Sequence, residues 1–503
     1  MSLHVDLSPE AQAQLQAQKR NSTISAVVIS VLALALIALI LALISMVLAD
    51  PTQEKVIAYS AGIENSDKIV ERKVNTSVEK KPSAPSASTA KAIASNAVSP
   101  VAIPVPEVDV PDPSQNFGMG DDFGEGWGNG DGDGSGGGGG FAGIPATMQK
   151  RCTPEARLAR LKENGGTPEC EEAVVKALRW MKGRQQADGS WKDGSQPVAM
   201  TALSLLAYLG HCETPISEEF GDSCMRAITF LVANSQKNGG PLTKSTADKH
   251  WPYEHAVATY ALAEAYTFCK ELDVQIPNLK ETVQKAGQMI IDKQHSTSGG
   301  WDYSYDQSGP RGGDLSLVGW HVQALKACKH TGLEFAGMRK TMGNAEDYVE
   351  ARGNDQGGFG YSGKQGLGGF GYDTLTGVGV LSLQMMGRAS SREARAGLRY
   401  IVDKSKLDYN SEWCDLYAHY YEGQACMNRG GKTWQHYNEL FRDQILKNQN
   451  ADGSWKVPGG GQKPNAVGAS FTSNEHYRAC LCTLMLEVYY RFLPGTGGKT
   501  NGR

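Results

Sequence analysis

The chain carries almost no excess charge: 50 Lys and Arg stand against 54 Asp and Glu, a net charge of −4 over 503 residues. That balance favours neither a nucleic-acid surface nor an acidic tail. Several catalytic signatures are missing too. There is no H-E-x-x-H zinc pair, no phosphate loop and no Ser-His-Asp arrangement. The glycine-rich loops lie between helical segments and lack the preceding strand that a dinucleotide site requires.

What is present changes sharply along the chain. Residues 24–49 form a run of 26 residues without a charge. A helix of that length crosses about 30 Å of hydrocarbon with some tilt. Lys19 and Arg20 precede it, and Asp50 and Glu54 follow. The positive-inside rule then puts residues 1–23 in the cytoplasm and everything after the span outside it. A cleaved signal peptide is the alternative, but its apolar core is shorter, about 7–15 residues. Residues 50–149 read as a linker, first Ala/Ser/Lys/Pro-rich and then Gly-rich, with too little apolar surface to offset chain entropy. Asn129, Asp131, Asp133 and Gly134 resemble the start of a calcium loop, but Gly140 stands where a bidentate Glu belongs, so the stretch reads as spacer. Of ten cysteines, Cys152 with Cys170 and Cys212 with Cys224 are close in sequence. An oxidising compartment allows pairing, spacing does not give the connectivity, and buried free thiols fit as well.

From residue 150 to about 495 the pattern is helical. Thr167-Pro168-Glu169 starts a helix with a cap, a first-turn proline and an acid. Val174, Ala177, Leu178 and Met181 make one apolar stripe along it. The next segment, 197–210, is apolar nearly all round and belongs inside. The loop between them, QQADGSW (185–191), recurs as QHSTSGGW (294–301), DQGGFGY (355–361) and QNADGSW (449–455). Trp191, Trp301, Phe359 and Trp455 are 110, 58 and 96 residues apart, about two, one and two units of roughly 50. Two units without the signature fit at 220–236 with 253–268 and at 392–405 with 412–425, for a total of six helical hairpins. Glycine permits the positive φ that ends one helix and reverses the chain. The aromatic ring is expected to pack on the next hairpin, and the Gln to bond exposed helix ends.

These loops resemble the Q-x-x-x-G-x-W repeats of squalene cyclases and the GGF-type repeats of protein prenyltransferase β subunits. The resemblance spans roughly 165–493 and implies an all-α (α/α)6 toroid, six inner helices ringed by six outer ones. An open solenoid fits the periodicity equally well. The cyclases protonate an alkene with an Asp-x-Asp-Asp acid, and that run is absent; Asp302, Asp306 and Asp314 do not make it. Trp320, Tyr372 and Trp413 are aromatics of the kind that stabilise cations, although buried aromatics are usually core. The prenyltransferases hold zinc with an Asp-x-Cys and a His at inner-helix starts. Here Glu412, Cys414 and His476 take those places, with Glu for Asp and with Asp415 and His419 nearby. The structural alternative makes Cys414 a buried helix residue and His476 a polar cap. Arg311 is the one candidate for a diphosphate.

Further polar groups fall at inner-helix starts: Glu254, His255, Asp314, Asp373 and Glu475. In a closed ring His255, Asp314, Asp373 and Trp413 would sit together as ligand-binding residues; helix-dipole compensation explains the acids without any ligand. The leading expectation is a tethered periplasmic toroid holding an apolar or isoprenoid-type ligand, with catalysis left open and zinc as the one cofactor in view. The alternative is a non-catalytic domain for a periplasmic protein partner, on a linker of roughly 95 residues with a span of about 55 Å.

Overall fold

Helix starts are encoded locally. In the computed structural model Thr153 caps Pro154–Glu163 (α1), its hydroxyl accepting from the Ala156 N–H at 3.2 Å. Thr167 precedes Pro168–Arg184 (α2), which has Glu169 and Glu171 in its first turn and Lys182 and Arg184 in its last. Both ends oppose the helix dipole. The stripe Val174, Ala177, Leu178 and Met181 is fully buried. Pro197–Gly210 (α3) is buried on every side, with only Ala199 partly exposed. The structure describes residues 55–56, 148, 151–192, 196–363, 372–411, 414–459 and 474–491. The apolar run 24–49, nearly all of the linker and the calcium-like stretch lie outside them. Among the described residues no helix is long and apolar enough to cross a membrane.

The pairing of an outer with an inner helix repeats. Gly221–Lys237 (α4) precedes Trp251–Glu271 (α5), and Leu279–Asp292 (α6) precedes Leu315–His330 (α7). Met338–Glu350 (α8) precedes Tyr372–Met385 (α9), and Arg392–Lys404 (α10) precedes Leu416–Arg429 (α11). Gly431–Leu446 (α12) precedes Glu475–Leu486 (α13), and a short helix, Val488–Arg491 (α14), ends the set. Each inner helix packs on the next, and α13 packs back on α3, while α12 packs on α2. The hairpins therefore close into a toroid, which removes the open solenoid. Two-residue strands at Lys55–Val56 and Val274–Gln275 and isolated bridges at Gly353–Phe359 and Gln449–Trp455 are the β-structure among the described residues.

The signature loops lock neighbouring hairpins. Gln185 donates to the Gly189 and Ser223 carbonyls, each at 3.0 Å. Gln294 donates to Gly299 (2.8 Å) and Thr341 (2.7 Å). Gln449 donates to Gly453 (3.2 Å) and Ala173 (2.8 Å). Ser223, Thr341 and Ala173 belong to the next outer helices, α4, α8 and α2. The glycines Gly189, Gly299, Gly357 and Gly453 have φ of 87, 80, 102 and 100°. A Cβ on them would meet the carbonyl carbons of Arg226, Asn344, Ala396 and Lys176 at 2.7, 2.7, 3.0 and 2.7 Å, so the loop lies flat on the neighbouring outer helix.

The aromatic residue has a different task from the expected one. The indole N–H groups of Trp191, Trp301 and Trp455 donate to the Met181, Ile290 and Ile445 carbonyls at 2.7, 2.7 and 2.9 Å. Those carbonyls sit in the last turn of the same hairpin's outer helix, where i+4 partners run out; Ile445 also accepts from the Asn448 N–H at 3.4 Å. Trp301 stacks on His321 of its own hairpin at 4.9 Å, and Trp191 on His476 of the preceding one at 6.0 Å. The glycine reversal brings the ring back over its own helix, leaving the Gln to reach the neighbour. Burying each ring contributes about 2–3 kcal/mol.

The disulfide joins Cys152 to Cys212, with Cα atoms 4.9 Å apart. Cys170 and Cys224, adjacent to these in sequence, stay free and buried. The bond closes a loop across 60 positions of sequence and stabilises by about 4 kcal/mol in the chain-entropy account.

Candidate functional site

The N-terminal ends of the inner helices gather the polar residues expected there, and each has a structural partner. Asp314 caps α7, accepting from the Ser316 N–H at 2.8 Å and the Leu317 N–H at 3.4 Å. Its second oxygen accepts from Arg311 at 2.7 Å and from the Tyr253 hydroxyl at 3.3 Å. Asp415 caps α11 through the Ala418 N–H at 3.1 Å and accepts from the Thr374 hydroxyl at 2.7 Å. Asp373 accepts from the Tyr400 hydroxyl. Glu254, on α5, serves its neighbour. It accepts from the Val198 and Ala199 N–H groups at 3.2 and 3.3 Å, at the start of α3, where Gln196 makes no side-chain cap. Burial pushes the Glu254 carboxyl up, and these donors oppose the shift.

His255, His321 and His476 are core histidines. His255 accepts at Nδ1 from the Leu242 N–H at 3.0 Å and donates from Nε2 to the Ala286 carbonyl at 3.1 Å. It thereby ties α5 to α6, and burial pushes its imidazole down to about 4. His321 donates to the Leu317 carbonyl at 2.7 Å and accepts from the Tyr305 hydroxyl at 2.9 Å; burial takes it to about 3. His476 lies against Trp180 and Trp191 with Nε2 2.7 Å from the Ser204 hydroxyl, and burial takes it also to about 3. All three are neutral at pH 7.

Of the expected metal set, Cys414 and His476 are among the described residues and Glu412 is not. Cys414 is fully buried near Tyr409 and Cys482, and Glu412 and Trp413 lie outside the described residues. No group of three or more His, Cys, Asp or Glu side chains placed to hold a metal occurs among the described residues. Arg311 pairs with Asp302 at 3.2 Å and Asp314 at 2.7 Å, and its guanidinium lies 4.0 Å from the centre of the Tyr303 ring. Its charge is spent within the fold.

The ring interior is aromatic and hydroxyl-rich. Trp320 of α7 stacks on Tyr420 of α11 at 5.7 Å, two positions round the ring, and meets the Tyr421 ring edge-on at 5.7 Å. Gln323 donates to the Tyr421 hydroxyl at 3.1 Å, and the Tyr420 hydroxyl donates to Gln323 at 3.3 Å. The Tyr417 hydroxyl is buried without a hydrogen-bond partner among the described residues. Toward the C-terminal ends a buried charge network takes over. Glu264 accepts from Arg151 and, at 2.9 Å, from Arg491. Arg491 also donates to the Leu206 carbonyl at 3.0 Å and the Tyr260 hydroxyl at 3.1 Å. Sequence reading missed this network. Its one signal was Glu264 inside the apolar stretch AVATYALAEAYTF (256–268), where a charge must be paired.

No family model matches the chain, and no curated protein sequence matches it. Among solved structures it is similar to the GH76A α-1,6-mannanase of Salegentibacter sp. HEL1_6 at 10% identity and a TM-score of 0.47, over 64% of this chain and 98% of that one. It is also similar to the type II terpene cyclase MstE from Scytonema, at 11% identity and a TM-score of 0.40 over 65% and 98%. A protein from Actinoplanes has 13% identity and a TM-score of 0.40 over 64% and 99%.

Proposed function

We propose that the chain is a single-pass membrane protein whose toroid stands outside the cytoplasm and recognises a partner without covalent chemistry. The run 24–49 and its flanking charges support the anchor and its direction. The Cys152–Cys212 bond supports a compartment where disulfides persist. The observation that carries the non-catalytic reading is the use of the mouth's acids and imidazoles: caps, neighbour caps and core hydrogen bonds. A general acid or base is kept available to substrate and costs stability; these groups stabilise the fold.

Two measurements test this on the full chain. In membranes, an alkaline carbonate wash should leave the protein in the pellet; release to the supernatant removes the anchor. In detergent, Asp314→Ala should lower stability by about 2 kcal/mol, since it deletes a cap and removes one of the two carboxylates that Arg311 pairs with. An unchanged or raised unfolding midpoint would mark Asp314 as a functional rather than structural acid. A stoichiometric isoprenoid lipid in an organic extract of the same sample would favour the occupied-lumen reading instead, for which the aromatic wall of Trp320, Tyr417 and Tyr421 is the supporting feature.

A further inference from the structure

The segment before the first hairpin closes the C-terminal end of the ring, and its attachment differs in kind from the rest of the fold. Helix α1 buries only Arg157 and Leu161, so little apolar surface holds it. Charge and one covalent bond do the holding. Arg151 is 2% exposed, and its side chain donates to Glu264 and lies 5.2 Å from the Phe268 ring centre. Arg157 pairs with Glu171 and donates to the Arg151 carbonyl at 2.8 Å and the His211 carbonyl at 3.3 Å. Between these arginines sits Cys152, bonded to Cys212 at the end of α3.

The other end of the segment is a fixed pivot. The Asn164 carbonyl accepts from the Trp434 indole at 2.8 Å. The Gly165 carbonyl accepts from Asn438 at 2.9 Å and Arg442 at 2.8 Å. Gly165 has a φ of 76°, and Gly166 follows. On the ring side, Cys212 has a φ of 67°. The Glu213 N–H donates to the Tyr208 carbonyl at 2.8 Å and the Cys212 N–H to Leu209 at 3.0 Å, the helix ending in which glycine normally takes the left-handed place. A side chain there costs backbone strain, and the bond to Cys152 is what this cysteine supplies in return.

Beneath the segment lie two buried acids, Glu264 and Glu487. Glu487 is fully buried, 3.7 Å from Arg491, and neither of its carboxyl oxygens has a hydrogen-bond partner among the described residues. Glu264 is the carboxylate that both arginines share, Arg491 from the ring and Arg151 from the segment.

We propose that residues 151–163 are a strap that plugs the C-terminal end of the ring, and that the Cys152–Cys212 bond is its redox latch. A dithiol reductant breaks the Sγ–Sγ bond: it is oxidised to its own disulfide and supplies two electrons and two protons, leaving thiols on Cys152 and Cys212. Water then competes for buried ion pairs that contribute little net attachment on their own. The strap swings about 164–165 and uncovers the Glu264 carboxylate, which then suits a guanidinium in place of that of Arg151.

The test is limited trypsin digestion of the full chain in detergent, with and without a dithiol, reading cleavage after Arg157 by mass spectrometry. Tryptophan fluorescence reports the ring. The expected result is at least a tenfold faster cut after Arg157 on reduction, with fluorescence and the cooperative unfolding transition retained. Cys152→Ser should reproduce the fast cut without reductant. An unchanged cleavage rate in the reduced wild-type chain overturns the latch. So does loss of the ring's unfolding transition on reduction, since the bond would then be a staple of the whole fold.

Discussion

Gly453→Ala is expected to destabilise the toroid by about 2–5 kcal/mol, summing a strained left-handed side chain with a forced backbone shift. Gly453 has a φ of 100°, and its added Cβ would lie 2.7 Å from the Lys176 carbonyl carbon. The neighbour is backbone of α2, which has no rotamer with which to yield. This loop is where the last hairpin meets the first, so the damage falls on ring closure, together with the Gln449 bond to Ala173. Chemical denaturation of the full chain measures the loss, and hydrogen exchange should localise it to α2 and α13. Gly183→Ala is the control. Gly183 is exposed in α2 and an added methyl there would have nothing within 4 Å, so helix propensity alone predicts a gain of about 0.5–1 kcal/mol. Equal losses at both glycines would mean that propensity, not the interlock, governs the repeat.

Glu264→Gln should cost about 3–5 kcal/mol, because it leaves two guanidinium groups buried without their shared carboxylate. Replacing Glu264, Arg151 and Arg491 together with Met should recover much of that loss, since a buried ion set and an apolar set of similar volume are close in free energy. Burial pushes the Glu264 carboxyl up, but Arg491 and Arg151 outweigh it and hold it below its ordinary value. A carboxyl depressed by folding stabilises above its unfolded pKa and loses that contribution as pH falls through the folded one. The loss in Glu264→Gln should therefore be largest at neutral pH and shrink in acid. Glu487 has the opposite sign: burial pushes it well up, with Arg491 opposing. The fold favours its protonated form, so Glu487→Gln is expected to be neutral or stabilising at pH 7. A large loss there would show that Glu487 is ionised and carries part of the network.

The signature loops show how far local reading reaches. Their spacing announced hairpins, and the glycine reversals occur at the positions expected. The assignment of partners within the loop did not follow, because a Gln and a Trp six or seven residues apart on a reversing chain can each face either neighbour; the φ of one glycine decides which. The acids at inner-helix starts were legible as helix-end residues. That Glu254 caps α3 rather than its own helix depends on two helices 56 positions apart lying side by side.

What the amino-acid sequence determined by itself was the helical period, the inner and outer character of each helix and the unit length, because these depend on neighbours within a few turns. The closing of the ring, the pairing of Cys152 with Cys212 and the gathering of Arg151, Glu264 and Arg491 were decided only in three dimensions. The disulfide spans 60 positions, the Arg151 bond to Glu264 spans 113 and the Arg491 bond to Glu264 spans 227. Composition and periodicity carry no measure of such distances; packing supplies it.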